Sequence, residues 1–91
     1  MVNILKNKNI LITGATGGVG RELCLQFKEQ GSNLFITSKD IDKLELLGEE
    51  LESEYIENDF NTGIKVLTSH IRNTIGTIDV LVNCAGIFIL P

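Results

Sequence analysis

A glycine-rich turn constrains the fold of this 91-residue chain more than any other feature of its sequence. The turn, Thr13-Gly-Ala-Thr-Gly-Gly-Val-Gly20, directly follows the apolar run Asn9–Thr13. A continuous run of β-branched and apolar residues is typical of a strand buried on both faces of a sheet. After the turn, apolar residues recur every four positions and predict one face of a helix: Val19, Leu23 and Phe27. Gly31 is expected to end this helix.

The same alternation of strand and helix signals continues along the chain. Further strands are predicted at 34–37, 55–58 and 78–83. Two helices are predicted between these strands. Asp40 caps the first, while Asn61 or Thr62 caps the second and Gly76 ends it. Their apolar stripes are Ile41, Leu44 and Leu51, and then Ile64, Leu67, Ile71 and Ile75. The order β-α-β-α-β-α-β predicts an α/β, Rossmann-type parallel sheet with right-handed crossovers.

The spacing of the glycines predicts a site for the pyrophosphate of a dinucleotide. Gly14 permits a tight turn, Gly18 lets the backbone approach the phosphates, and Gly20 lets the helix pack close to the sheet. The helix N-terminus adds N–H donors and partial positive charge, to which Arg21 adds more. A turn without a ligand is the alternative, which the order strand, turn, helix disfavours. The candidate residues are Gly14, Thr16, Gly17, Gly18, Val19 and Gly20.

The end of the second predicted strand bears on which dinucleotide binds. A fold that prefers NAD places an Asp or Glu there for the ribose hydroxyls, whereas a 2′-phosphate calls for positive charge. This chain has Ser38 and Lys39 at that position. A hydroxyl and a cation favour NADP, with NAD as the second choice; a surface lysine at a helix entrance is the alternative interpretation.

Three motifs together resemble the short-chain dehydrogenase/reductase family over essentially the whole chain. The glycine turn is similar to its Thr-Gly-x-x-x-Gly-x-Gly motif, and Asp59 with Phe60 to the position that contacts adenine. The segment after the fourth strand is similar to Asn-Asn-Ala-Gly and reads Asn83, Cys84, Ala85 and Gly86. Cys84 departs from that pattern, and a small packing residue is favoured there over a reactive thiol.

The resemblance implies a strand order of 3-2-1-4 and assigns residues 1–91 to the N-terminal, dinucleotide-binding part of such a fold. The family transfers hydride between the cofactor and a carbonyl or alcohol, using a Tyr-x-x-x-Lys pair. Tyr55 is the chain's only tyrosine, and Asp59 stands four residues later. We therefore expect a fragment without catalytic residues, whose substrate these residues do not specify. The alternatives are a non-catalytic nucleotide-binding module and an interaction protein that pairs through an open sheet edge.

Composition excludes several other classes of protein and site. The net charge is −4, and nine of the twelve acidic residues lie between Asp40 and Asp59, so a nucleic acid is not expected as a partner. No apolar run approaches a membrane span, and the N-terminus lacks an export signal, which favours the cytoplasm. Cys24 and Cys84 are expected to be reduced thiols, and His70 a solvated residue. No metal site is predicted, since the acidic run 45–57 is interpreted as mostly the solvent-exposed face of a helix.

The fourth predicted strand is rich in Ile, Val and Leu and has no following strand in this chain. An apolar edge of this kind is prone to pair with other chains. We expect the 91-residue chain alone to be marginally stable, oligomeric or insoluble. A full-length protein of this family is expected to be a homo-oligomer.

Overall fold

Four parallel strands form the centre of the molecule. The computed structural model describes residues 4–57, 69, 71–73 and 76–84. The strands lie in the spatial order β3-β2-β1-β4, which confirms the predicted α/β class and strand order. Their bounds are β1 Asn9–Thr13, β2 Asn33–Ser38, β3 Glu54–Glu57 and β4 Val80–Asn83. Strand β1 matches its prediction, β2 is longer by one residue at each end, β3 begins one residue earlier, and β4 begins two residues later.

Helices α1 (Gly18–Glu29) and α2 (Ile41–Leu51) follow β1 and β2. Gly31 has a φ of +84° and donates its N–H to the Lys28 carbonyl at 3.0 Å, so it closes α1 as predicted. Asp40 caps α2, because its carboxylate accepts the backbone N–H of Lys43 at 3.2 Å. Local sequence signals therefore fix the end of α1 and the start of α2, on either side of β2.

The larger core cluster lies between the sheet and these two helices. It joins alternate residues of β1 and β2 to one side of each helix: Ile10, Ile12, Leu34, Ile36, Cys24, Leu44, Leu47 and Leu51. The predicted stripe of α1 is wrong at its first residue, since Val19 is 60% exposed. The buried side of α1 is centred on Gly20 and Cys24, one position further along. Leu23 and Phe27 flank it and are half-buried.

A second, smaller cluster covers the other face of the sheet. Leu11 and Phe35 pack there with Ile71, beside half-buried Ile56 and Ile78. Residues 71–73 are helical, and Gly76, with a φ of +83°, donates its N–H to the Ile71 carbonyl at 3.0 Å. This bond confirms the predicted helix end at Gly76. The rest of that predicted helix, Asn61, Thr62, Ile64, Leu67 and Ile75, lies outside the described residues, as does His70.

Strand β4 joins the sheet through β1, with matched polar contacts at the start of both strands. The Asn9 N–H donates to the Asp79 carboxylate at 2.8 Å, and the Asp79 N–H donates to the Asn9 carbonyl at 2.8 Å. The Asn9 side chain also donates to the Thr77 carbonyl at 2.9 Å. These contacts set the register of β4. No helix in the described part of the chain has the length and apolarity of a membrane span.

Candidate functional site

The turn after β1 is built on one glycine with a left-handed conformation. Gly14 has a φ of +64°, which residues with a side chain adopt only at a cost in conformational energy. The following N–H, of Ala15, donates to the Thr37 carbonyl at 3.2 Å, and the Gly17 N–H donates back to the Gly14 carbonyl at 3.3 Å. The turn is therefore held both to itself and to the end of β2.

Gly18 and Gly20 lack side chains for two different reasons. A Cβ atom at Gly20 would collide with the Gly14 carbonyl oxygen and lie 3.0 Å from the Ala15 Cα. The predicted close approach is thus real, but it is made to the turn and not to the sheet. A Cβ at Gly18 would meet no atom of the described residues within 4 Å, so this exposed glycine borders open space in front of the turn. A pyrophosphate would have room to approach the backbone there.

The N-terminus of α1 carries nothing that competes with an anionic ligand. Its N-cap is Gly17, no side chain of the described residues caps the helix, and its first turn holds no acidic residue. Gly17, Gly18 and Val19 are exposed. Uncapped N–H groups and the helix dipole make such a terminus favourable for phosphate. The residues present therefore fit the dinucleotide that the glycine spacing predicts.

The structure brings Ser38 and Thr16 together, two predicted residues that lie 22 positions apart. Their hydroxyl oxygens are 2.8 Å apart, and Ser38 Oγ also accepts the Asp40 N–H at 3.2 Å. Ser38 is buried, whereas Lys39 is exposed and makes no ion pair in the described part of the chain. Ser38 thus ties the glycine turn to β2 and α2, and Lys39 is the charge that stands toward solvent.

Two carboxylates lie near this end of β2. Asp40 follows Lys39 directly, and Glu57 of β3 is in register with Ser38 and exposed. Residues in register on parallel strands point to the same face of the sheet. Sequence reasoning missed Glu57, because the proximity follows from the β2–β3 register alone.

Arg21 is not available at the mouth of the site in the way its sequence position predicts. Its guanidinium donates to both carboxylate oxygens of Glu50 on α2, at 2.8 and 2.7 Å. The pair joins the two helices and offsets the charge of Arg21. The physical reason is the packing of α1 beside α2, which no local sequence pattern reports.

The carboxyl ends of β1, β2 and β4 present a row of polar side chains on one face of the sheet. Thr13 is in register with Thr37 and with Asn83. Thr13 Oγ1 donates to Asn83 Oδ1 at 2.8 Å, and the Cys84 N–H donates to the Thr13 carbonyl at 2.9 Å. Thr37 Oγ1 is buried and has no hydrogen-bond partner among the described residues. Asn83 therefore braces β4 against β1 at the predicted site.

Four predicted cofactor residues lie outside the described part of the chain: Asp59, Phe60, Ala85 and Gly86. In the sequence they stand two or three positions after the last residue of β3 or of β4. Their predicted roles stay predictions.

The two cysteines are free, and Cys24 is buried in the larger core cluster against which Cys84 packs. Burial raises the pKa of the Cys24 thiol to about 12, and Cys84 raises it further as a second, smaller cause. Cys24 is thus a core residue and an unreactive thiol at neutral pH. Within the described ranges, no three His, Cys, Asp or Glu side chains are grouped so that they could hold a metal ion.

The sequence matches known proteins over nearly its whole length. A family model described as short chain dehydrogenase matches residues 8–90. The 3-oxoacyl-(acyl-carrier-protein) reductase FabG of Staphylococcus epidermidis is 35% identical, over 89% of this chain and 36% of the relative. The 5-keto-D-gluconate 5-reductase of Escherichia coli is 39% identical, over 91% of this chain and 35% of the relative. The chain thus spans about a third of the length of these relatives.

Solved structures share the fold. A short-chain dehydrogenase/reductase of Brucella melitensis, a glucose/ribitol dehydrogenase by name, superposes with a TM-score of 0.81 and 28% identity. The match covers 93% of this chain and 37% of that one. A short chain dehydrogenase of Shigella flexneri in complex with NADP superposes with a TM-score of 0.84 and 21% identity, over 93% and 40% of the two chains.

Proposed function

Since the chain belongs to the short chain dehydrogenase family, we propose that it binds NADP(H) as the cofactor-binding part of an oxidoreductase. The bound cofactor would carry the hydride that such an enzyme exchanges with a carbonyl or an alcohol. Two curated relatives are reductases by name, which supports this reaction class. The relatives are almost three times as long as the match, so the choice of substrate is a property of the whole protein.

The contrast between Gly18 and Gly20 is the observation that carries the proposal. Gly20 is required by the packing of the turn itself, whereas Gly18 leaves open space beside an uncapped helix N-terminus. Packing within the described residues gives no reason for a glycine at position 18, whereas close approach of a pyrophosphate to the backbone does. We assign the cofactor to Gly14, Thr16, Gly17, Gly18, Val19, Gly20, Ser38, Lys39, Asp59, Phe60, Asn83, Ala85 and Gly86.

The preference for NADP(H) over NAD(H) rests on the end of β2. An acidic residue at this end would hydrogen-bond the ribose hydroxyls of NAD and repel a 2′-phosphate. Here the exposed group is the ammonium of Lys39, next to the buried hydroxyl of Ser38. A solved structure of the same fold is a complex with NADP, which is compatible with the proposal.

We assign no catalytic residue within these 91 residues. Tyr55 lies on β3, where its ring packs against the larger core cluster and directly against Gly48 of α2. Packing against these residues is thus a sufficient structural role for the Tyr55 ring. The 91 residues contain no Tyr-x-x-x-Lys sequence. DNA sequence downstream of codon 91 tests the assignment to a longer reductase: an in-frame or frameshifted Tyr-x-x-x-Lys supports it, and unrelated sequence rejects it.

Calorimetric titration of the 91-residue chain with NADPH and with NADH tests cofactor binding directly. We expect NADPH to bind about tenfold more tightly, which corresponds to roughly 1.4 kcal/mol. Lys39→Glu should remove this preference, since it places a negative charge beside the 2′-phosphate.

Lys28→Glu is the matched control for that experiment. It makes the same change of charge in the last turn of α1, away from the glycine turn, and should leave the preference intact. Equal affinities for the two cofactors in the unmodified chain would reject the NADP preference. Binding of neither would reject the proposed function.

A further inference from the structure

A cleft of about 380 Å³ lies between α1 and α2, beside the glycine turn. Thr16 forms part of its wall, and the Thr16 hydroxyl lies 2.8 Å from Ser38 Oγ. The cleft therefore adjoins the end of β2, where the 2′-phosphate is proposed to bind. The lining residues are Thr16, Arg21, Lys43, Leu46, Leu47 and Glu50.

Among the described residues, two cations line this cleft, and one of them has its charge available. Arg21 is bound through two hydrogen bonds to Glu50, with N–O distances of 2.8 and 2.7 Å. The Lys43 ammonium has only a distant partner, the Asp40 carboxylate at 4.0 Å, and its side chain is 70% exposed. An exposed pair at that distance contributes little, so Lys43 can turn toward a stronger anion.

The charges around Ser38 call for such a second cation. Lys39 is accompanied by Asp40 and by Glu57, so among the described residues the end of β2 holds two carboxylates for one lysine. A phosphate monoester brings a further charge of about −1.5 to −2 at neutral pH. With Lys39 as its single cation, the phosphate would lie among more negative than positive charges. Of the described residues on the cleft wall, Lys43 is the cation that has no carboxylate at short distance.

We infer that Lys43 is a second phosphate-binding cation and, with Lys39, determines the specificity for a 2′-phosphorylated dinucleotide. The inference rests on the proposed function and adds a residue to its site. Binding exchanges the contact of the Lys43 ammonium with Asp40 for one with the phosphate, which accepts stronger charge-assisted hydrogen bonds. The Asp40 carboxylate keeps the Lys43 backbone N–H, so the helix cap is unaffected.

Two variants should change the affinity in opposite directions. The probes are adenosine 2′,5′-bisphosphate and AMP, which differ by the 2′-phosphate, titrated calorimetrically into the 91-residue chain. Lys43→Gln should weaken binding of the bisphosphate about fivefold and leave AMP unchanged, as expected for one exposed charge pair. Asp40→Asn keeps an N-capping side chain, removes the competing charge, and should strengthen bisphosphate binding about twofold to fivefold.

Lys28→Gln is the matched control, with the same loss of charge at the other end of α1, and should change neither affinity. Circular dichroism of each variant verifies the fold. If Lys43→Gln leaves the ratio of the two affinities unchanged while Lys39→Glu abolishes it, the role of Lys43 is refuted and the proposed function stands. A drop in the ratio with Arg21→Gln instead of Lys43→Gln also overturns the inference. If the unmodified chain binds neither probe, both proposals fall.

Discussion

Gly18 and Gly20 lie two residues apart in one turn and separate stability from binding at the scale of single residues. Gly20 is buried, and its missing Cβ makes room for the backbone of Gly14 and Ala15. Gly18 is exposed and makes room for nothing within the described chain. The fold requires Gly20 to be a glycine, and the proposed ligand requires the same of Gly18.

Alanine substitutions at these two positions should therefore have opposite effects. Gly20→Ala should reduce the free energy of unfolding by about 1–3 kcal/mol, because a rigid backbone must move to admit the Cβ. Gly18→Ala should leave stability unchanged or raise it by up to about 1 kcal/mol, since alanine suits a helix better than glycine. It should weaken NADPH binding about tenfold.

Urea unfolding followed by circular dichroism, with calorimetric titration of NADPH, measures both effects. An unchanged affinity of the Gly18→Ala variant would remove Gly18 from the proposed site. A fully stable Gly20→Ala variant would contradict the close packing of α1 on the turn.

The two thiols differ in their environment and should differ in reactivity. Cys24 is fully buried and Cys84 is half-buried, so a thiol reagent at neutral pH should label Cys84 in the folded chain and Cys24 only after unfolding. Mass spectrometry of the labelled peptides gives the order. Labelling of Cys24 first would contradict the core position of α1.

The same burial predicts how stability depends on alkaline pH. The pKa of Cys24 is about 12 in the folded chain against an ordinary value of 9.0. Between these values the unfolded chain loses the thiol proton and the folded chain keeps it, so the Cys24 contribution is complete below about pH 9 and declines toward pH 12. Urea unfolding at several pH values should show a shallower decline for Cys24→Ala than for the unmodified chain. Equal slopes would contradict the prediction.

At the scale of elements, α2 packs on β3 through one glycine and one aromatic ring. A Cβ at Gly48 would collide with Tyr55 Cδ1 and lie 2.8 Å from Cε1. Gly48 is buried within α2, where glycine is otherwise unfavourable for a helix. The close contact with the Tyr55 ring explains why the helix tolerates a glycine there.

Gly48→Ala should lower the free energy of unfolding by about 1–3 kcal/mol, because the Tyr55 ring must leave its place in the core. In the background of Tyr55→Val, which removes the ring, the same alanine should have little effect or stabilise the helix. A double-mutant cycle by urea unfolding should give a coupling of at least about 1 kcal/mol. Additive effects of the two substitutions on the free energy of unfolding would show that Gly48 and the Tyr55 ring are not coupled.

At the scale of the whole molecule, the edge of the described sheet at β4 is apolar. Of the described strands, β4 pairs with β1 alone, and Leu81 on β4 is 62% exposed. An unpaired apolar strand offers backbone donors and acceptors to another chain. The exposed Leu81 makes such pairing more favourable.

The 91-residue chain should therefore associate with itself at micromolar concentration, and Leu81→Lys should shift it toward the monomer. Sedimentation velocity measures both species. The contrary result would be a monomeric, unmodified chain with a sharp thermal transition in the usual mesophilic range of about 45–65 °C.

Elements of this fold could be predicted from sequence where the signal was local. Strand β1, the cap at Asp40 and the glycine stops at Gly31 and Gly76 depend on neighbouring residues, and the structure agrees with each. The buried side of α1 was misplaced by one residue at Val19, because apolar spacing does not report which glycine faces the turn.

The same distinction between local signals and tertiary contacts applies to the candidate site. By itself the sequence determined the strand–turn–helix unit, the glycines that suit a pyrophosphate, and the position of Lys39 after the second strand, since each of these depends on one short segment of the chain. Only the tertiary structure decided that Arg21 is bound to Glu50, that Thr16 meets Ser38, and that Lys43 lines the same cleft. Those contacts arise from the packing of α1 against α2 and from strand register, which join residues far apart in the chain and leave no local pattern.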